Sequence, residues 1–506
     1  MMEEPVLELD DIQGNIFPGF KKDNQHFLFF RITEPTAARA WLKALAPRLS
    51  SASEVSVAHA LWKHMRRRLA HEPNNLDFLF LNCAFSAAGL QTLGIEGVAE
   101  FEDEAFQLGL EARAGIIGDP SSGSGALGAP DTWLVGAGAA KPAVLLTIAS
   151  DDQAWILQQE AELIQQAVQH GFELLHIDHG RVRPGALSGH EHFGFRDGIS
   201  FPAIRGRASA ATTDFVEPRS WPAGPQFDQQ RQLYASPGRQ LVWPGHFLFG
   251  YPGQWKDKPA EARPGSEPVG PAWARNGSFL VYRRLNQDVD RFHRFLTAAA
   301  TELREQGFDP DMTPKQLGAL LVGRWPSGWP VMRGPDQGPN QEGENYFSFT
   351  AAQASPLPND PHPLNQADFG GNICPFASHI RKVQPRDDGT DLGNMERTFQ
   401  RLMLRRGITF GPELDDHAAE RGLLFVSFQS SITNQFEFVM NNWVNDEDKP
   451  KGGSGFDAIL GSKSNFTIQL RKNDTKVPLL IPGGWVHATG GEYFFTPGIR
   501  FFTEVL

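Results

Sequence analysis

Short apolar runs that switch between strand and helix periodicity limit what this chain can become more than any other feature. HFLFFRI at 26–32, LDFLFLNCAF at 76–85 and AVLLTIA at 143–149 have strand length, and TAARAWLKALA at 36–46 reads as a helix between the first two. Trp155, Ile156, Leu163, Ile164 and Val168 recur at helical spacing and predict a helix over about 152–170. The second half uses the same alphabet. Strands are expected at 278–285, 422–429, 464–470 and 492–496, with helices at 287–305 and near 432–443.

Between these halves, from about 203 to 275, Pro218, Pro222, Pro225, Pro237, Pro252, Pro259, Pro264, Pro268 and Pro271 break any regular element. A chain of 506 residues exceeds one ordinary core, so two domains are expected, 1–225 and 226–506, with the crossing inside 203–275. A second stretch rich in Gly, Pro, Asn and Asp, 326–375, is long enough to suggest a binding or covering role.

The balance of 59 acidic against 47 basic side chains, a formal charge of −12, gives no electrostatic footprint for nucleic acid. A neutral or cationic small molecule suits such a surface better. Cys83 and Cys374 are the only cysteines and lack a CxxC neighbour, which leaves neither a disulfide framework nor a thiolate zinc site. No apolar run approaches the length of a membrane span. The N-terminus MMEEPVLELDDIQGN has no basic region followed by an apolar one and no twin arginine, so cytoplasmic residence is expected.

Three short motifs carry chemistry. In Gly194-Phe195-Arg196-Asp197-Gly198 an acid stands between residues that permit unusual backbone conformations, which could present Asp197 into a cavity or merely let it cap its own turn. His190 and His192 precede it at alternate positions, but two histidines without a third ligand are weak grounds for a metal site. In Cys374-Pro375-Phe376-Ala377-Ser378-His379-Ile380-Arg381-Lys382, Pro375 fits the first turn of a short helix and places His379 near its C-terminal end. A lone helical histidine is more often structural. One imidazole approaching from a single face is nevertheless what a five-coordinate haem iron needs, with Arg381 or Lys382 near enough to pair with the propionates. In Arg405-Arg406-Gly407-Ile408 two adjacent guanidiniums cannot face the same way, and an isolated pair of this kind is usually a surface feature.

Together and in this order, the motifs resemble those of the dye-decolourising peroxidase family, closest to its longer members. The likeness covers most of the chain, including IQGNI at 12–16, FRDG at 195–198, NGSFLVYRRLNQDV at 276–289, CPFASHIRK at 374–382, RRGITFGPE at 405–413 and GLLFVSFQSSI at 422–432. It implies an α+β fold of two ferredoxin-like domains, each an antiparallel sheet with peripheral helices, and a haem b (iron protoporphyrin IX) held mainly by the C-terminal one. Position by position, His379 matches the proximal iron ligand, Asp197 the distal acid and Arg405 the distal arginine, with Arg406 the weaker candidate. Asp457 in GFDAILG matches the carboxylate that accepts from the proximal imidazole. Leu423 and Phe425 match apolar residues of the distal pocket.

The implied activity is reduction of hydrogen peroxide with one-electron oxidation of small phenolic or dye-like aromatic donors. Release of iron from haem, or non-enzymatic haem carriage or sensing, are the alternatives. Phe410 stands where some members carry a redox-active surface tyrosine, which argues against oxidation of bulky dyes; Trp443 resembles an alternative surface tryptophan, but in a chain with 12 tryptophans packing is the safer reading of it.

Overall fold

The structure, a computed structural model, describes residues 3–70, 77–228, 230–254, 264–338, 345–351, 353–354, 364–413, 419–473 and 475–506. Parts of both expected loop regions, 255–263 with Pro259, and 339–344, 352 and 355–363, lie outside the described residues, as does residue 76 of the second expected strand.

Eight strands build the centre: β1 (Asn24–Ile32), β2 (Phe80–Phe85), β3 (Val144–Ser150), β4 (Phe172–Arg181), β5 (Ser278–Gln287), β6 (Ile408–Phe410), β7 (Gly422–Gln429) and β8 (Val486–Thr496). The first four pair in the order β4-β1-β3-β2 and the last four as β8-β5-β7-β6, so each half is a ferredoxin-like antiparallel sheet with the same topology. The halves then join at both edges. Phe410 of β6 pairs with Gly180 of β4, and Phe495 of β8 pairs with Phe85 of β2, closing the strands into one barrel. Gly180 is required at the first joint, because a Cβ there would lie 2.3 Å from the Ile408 side chain and 3.0 Å from the Gln25 carbonyl.

Successive side chains of a strand point to opposite faces, and the barrel sorts them accordingly. Phe27, Phe29, Leu145, Tyr282, Leu424, Val426 and Phe494 fill the interior. Leu28, Phe30, Leu146, Ile148, Val281 and Phe495 face outward, and in the first half they are covered by helices α1 (Pro35–Leu45) and α3 (Gln153–Gln169) through Trp41, Leu42, Ile156 and Leu163. Helix α2 (Ala52–Leu69), not expected from the sequence, starts from a Ser51–Glu54 capping box. The strand expected at 76–85 begins at Phe80, the late strand expected at 492–496 begins at Val486, and 432–444 forms two π-helical turns.

Helices α4 (Val289–Glu305) and α5 (Pro314–Val322) behave differently. Their apolar faces, including Phe292, Leu296 and Leu317, pack with Phe193, Phe195, Trp485 and the hairpin Phe466–Lys472/Thr475–Ile481 in a cluster of their own. Leu285 of β5 and Phe425 of β7, on the outer face of the second half-sheet, are only partly buried. That outer face is thereby left partly uncovered. Among the described residues, no helix is long and apolar enough to cross a membrane.

One buried ionic group braces the interior. Asp178 accepts hydrogen bonds from Tyr282 Oη (2.5 Å) and Arg284 Nε (3.0 Å), and the Arg284 guanidinium lies 4.2 Å from the Phe410 ring centroid. Removing one partner of a buried pair costs roughly 3–5 kcal/mol. Asp178→Ala should fall at the low end, since Glu420 still reaches Arg284 Nη1 at 2.9 Å. Denaturant unfolding of the variant beside Tyr282→Phe, which keeps the ion pair, checks this: only the former should be strongly destabilised.

Candidate active site

His379 is delivered by a tightly held loop. The Asp368 carboxylate accepts from the backbone N–H groups of Asn372 (2.7 Å), Ile373 (3.2 Å) and Cys374 (2.9 Å), which fixes the turn leading into CPFASH. Residues 375–378 form a turn, closed by Ser378 N–H donating to the Pro375 carbonyl. Helix α6 (His379–Val383) therefore begins at His379, not at Pro375. The histidine stands at the N-terminal end of its helix, a correction to the position expected from the sequence.

Its Nδ1 lies 2.9 Å from Asp457 Oδ2, while Asp457 Oδ1 accepts from the N–H groups of Ile459 and Leu460, both at 2.8 Å. Burial disfavours the Asp457 anion, but the His379 charge and hydrogen bond and these two N–H donors outweigh it and hold the carboxyl below its usual range. Burial acts on His379 in the opposite direction, towards the neutral ring. The Asp457 carboxylate overcomes it and raises the imidazole above its ordinary value. Arg405 and Asp197 are the next charges that act on this ring. With Nδ1 engaged, Nε2 points away from Asp457 and meets no donor or acceptor among the described residues, and 23% of the side chain remains open.

The two basic residues after His379 do not fit the propionate pairing expected of them. Arg381 is 2% exposed and gives all five N–H groups to protein: Nε and Nη2 to Asp388 Oδ2, Nη1 to Asp368 Oδ2 and the Cys374 carbonyl, and Nη2 also to the Asp368 carbonyl. Lys382 Nζ donates to the carbonyls of Asp446, Lys449 and Gly455, which pins the 446–455 loop beneath the helix. Both cations hold the His379 loop in shape.

Asp197 is exposed on a segment whose neighbours are fixed. Gly194 (φ +95) and Gly198 (φ +71) supply left-handed turns, and space is not the constraint, since no atom lies within 4 Å of a Cβ built at either. Glu191 accepts from the N–H groups of Phe193 and Phe195, both at 2.8 Å, and from Gln287. The N–H of Asp197 itself donates to the Gly189 carbonyl at 2.9 Å. Sequence reasoning missed Glu191, although its place just before FGFRD in a turn rich in N–H donors was the available signal. His192 is buried with Nε2 2.9 Å from the Phe410 carbonyl, whereas His190 is half-buried with Nδ1 3.1 Å from the Ser188 carbonyl, so the pair does not converge on an ion.

Arg405 belongs to a two-residue strand, Leu404–Arg405, and pairs with Ser427 of β7. Its Nη2 donates to the Ser200 carbonyl at 2.8 Å, and Ser200 Oγ donates to Gln384 Oε1 at 2.9 Å, just past α6. These two bonds tie all three motifs into one locus. Arg406 faces the other way, with Nε and Nη2 on the carbonyls of Asn15 and Ile16. On β7, Leu423 and Phe425 are half-buried while Leu424 and Val426 are buried, which puts the first two on the outer face of the sheet.

The family comparison agrees with this geometry. Residues 11–184 match the DyP dimeric alpha+beta barrel domain, and residues 341–468 match the C-terminal domain of Dyp-type peroxidases. The dye-decolorizing peroxidase msp1 of Mycetinis scorodonius is 30% identical over 532 residues, covering 99% of this chain and 88% of that protein. The chain belongs to the dye-decolourising peroxidase family. A solved ancestral D-type dye-decolorizing peroxidase superposes with a TM-score of 0.77 at 30% identity, covering 99% of both chains. Another solved member, a complex with 2,6-dimethoxyphenol, gives 0.72 at 27% identity, again covering 99% of both. This chain is accordingly a haem-dependent peroxidase, and its residues fit the cofactor: an imidazole nitrogen that meets no partner among the described residues, and a partly uncovered apolar sheet face.

Both aromatics considered as surface relays are interior: the Phe410 position is corrected, and Trp443 follows its packing reading. Phe410 is 5% exposed, packed in the barrel interior under Arg284, so its position is no surface relay whichever ring occupies it. Trp443 is fully buried, with Nε1 3.2 Å from Asp391 Oδ1.

Burial lifts the Glu191 carboxyl to about 7, against 4.5 for an ordinary glutamate. The folded protein thus keeps a proton that the unfolded chain releases, and the stability from this group is complete below pH 4.5 and lost as pH rises through about 7. Glu191→Gln should therefore show a shallower fall in thermal midpoint than the parent between about pH 5 and about pH 8. Buried Glu492, also raised to about 7, remains in both proteins and sets the residual slope.

Proposed function

We propose that this chain reduces hydrogen peroxide at a haem b bound through His379, and takes the electrons from small phenolic or dye-like aromatic donors. The observation that carries the reading is the pair of hydrogen bonds by which Ser200 links the GFRDG segment to Arg405 and to Gln384 just past α6, beside an imidazole whose Nδ1 is held by Asp457. When bound, the haem supplies an iron that accepts oxidation by peroxide and is returned by single-electron donors. Leu423 and Phe425 line the side of the pocket where peroxide binds.

Asp197 acts as the proton carrier, accepting a proton from the nearer oxygen of hydrogen peroxide and passing it to the farther one, which departs as water. Arg405 faces the negative charge that grows on that departing oxygen, and its tether to Ser200 keeps it there. Asp457 holds His379 in one orientation and makes the imidazole a more basic ligand. The same reading divides the labour between 1–225, which brings GFRDG, and 226–506, which brings the iron ligand. The 2,6-dimethoxyphenol complex of a relative supports a phenolic donor. Small donors are favoured, because Phe410 and Trp443 are both shielded from solvent.

His379→Ala should lose tightly held haem, read as loss of the Soret band after gel filtration, and a variant with unchanged spectrum and coordination would remove His379 from this role. Asp197→Ala should keep the haem but slow the first spectral change on mixing with peroxide by roughly 100-fold or more. A rate near that of the parent would shift the proton transfer to another group.

A further inference from the structure

Outside the site at α6, three side chains that the peroxidase reaction does not use meet at one point. His26 Nδ1 lies 2.6 Å, and His179 Nε2 2.8 Å, from the same oxygen, Oε2 of Glu160. Among the described residues this is the only group of three or more His, Cys, Asp or Glu side chains whose ligand atoms all lie within 4.8 Å of one another. We propose that it is a binding site for one divalent late first-row metal ion of the zinc class.

The framework is rigid. His26 and His179 are direct cross-strand partners on β1 and β4, with ring centroids 4.3 Å apart, and Glu160 comes down on them from α3. Ile156, Glu160, Leu163 and Ala167 are the buried positions of that helix, so Glu160 occupies a place in the apolar stripe where packing alone calls for a hydrophobic side chain. Burying a carboxylate there is costly unless it is paired or coordinates a cation. Two imidazoles and one carboxylate form the mixed nitrogen and oxygen set that zinc and its neighbours accept, and leave a fourth position for water.

Access and room are both present. Side-chain exposure rises from 5% at His26 and 11% at Glu160 to 53% at His179, so the cluster opens to solvent on one side. Ligand bonds of ~2.1 Å in a tetrahedron separate the donor atoms by ~3.4 Å. The present spacings of 2.6 and 2.8 Å must widen by roughly half an ångström or more, a change that rotation of the exposed His179 ring and the carboxylate can supply. Each ring must offer a lone pair at the nitrogen now facing Glu160, so in the bound form its remaining proton sits on the other ring nitrogen. The ion would staple α3 to the β1–β4 pair.

The test is calorimetric titration of the chelator-treated holoenzyme with Zn2+, run beside His179→Ala, whose exposed ring can be removed without opening the core, and Glu160→Gln. The parent should bind one equivalent of Zn2+ and gain thermal stability from it. Both variants should bind more than ~10-fold more weakly, since even an outer-shell partner of a metal ligand is worth that much. Zn2+ binding of equal stoichiometry and affinity in parent and His179→Ala, or none in the parent, would overturn the proposal and leave a carboxylate that only accepts hydrogen bonds from two imidazoles.

Discussion

At Gly180 the first half-sheet comes so close to Ile408 of the second that no side chain fits between them, and around this contact the two ferredoxin-like halves share their backbone hydrogen bonds. The matching joint between Phe85 and Phe495 closes the ring. Closure leaves the eight barrel strands without an unpaired edge, which is the surest protection against edge-to-edge association. It also fills the barrel with aromatic side chains, because eight strands enclose only enough space for packing. A large flat cofactor has no room inside. The remaining apolar surface is the outer face of the second half-sheet, where α4 and α5 have packed elsewhere and left Leu285 and Phe425 partly uncovered.

Around the His379 loop, buried charge is used for shape. Asp368, Asp388 and Arg381 form a network in which every guanidinium N–H has a protein acceptor, and Lys382 is surrounded by backbone carbonyls. Burial lowers the Lys382 ammonium to about 8, with the carboxylates of Asp457, Asp446 and Asp448 resisting the shift. Such groups are expensive to bury and more expensive to leave unpaired. The loop that carries His379 therefore has few alternative conformations, and the imidazole is presented with one nitrogen already spent on Asp457.

The strand and helix alphabet and the three motifs were legible from the sequence because they depend on local spacing. Ser200 ties the GFRDG segment to Arg405 and to Gln384 just past α6, and Arg406 turns the other way, onto the carbonyls of Asn15 and Ile16. What depends on partners distant in sequence was not legible. The destination of Arg381 is decided by Asp368, 13 residues before it, and Phe410 became interior only when β6 closed against β4. Trp443, for which packing was the safer reading, does pack, against Phe438 with its N–H on Asp391. The cluster at Glu160 joins positions 134 and 19 residues apart, and its one sequence trace was an acid within an otherwise apolar helical stripe.

The closed ring also governs how small molecules come and go. Asp197 follows the last strand of the first half, whereas His379 and Arg405 precede β6 and β7 of the second, so the reacting groups belong to two bodies held together by shared main-chain bonds at both edges. In many enzymes assembled from two halves, a hinge parts them to admit substrate. Here such a movement would rupture strand pairing along a seam. Entry is then left to the side chains and loops around the strands, and discrimination among reductants becomes a matter of aperture.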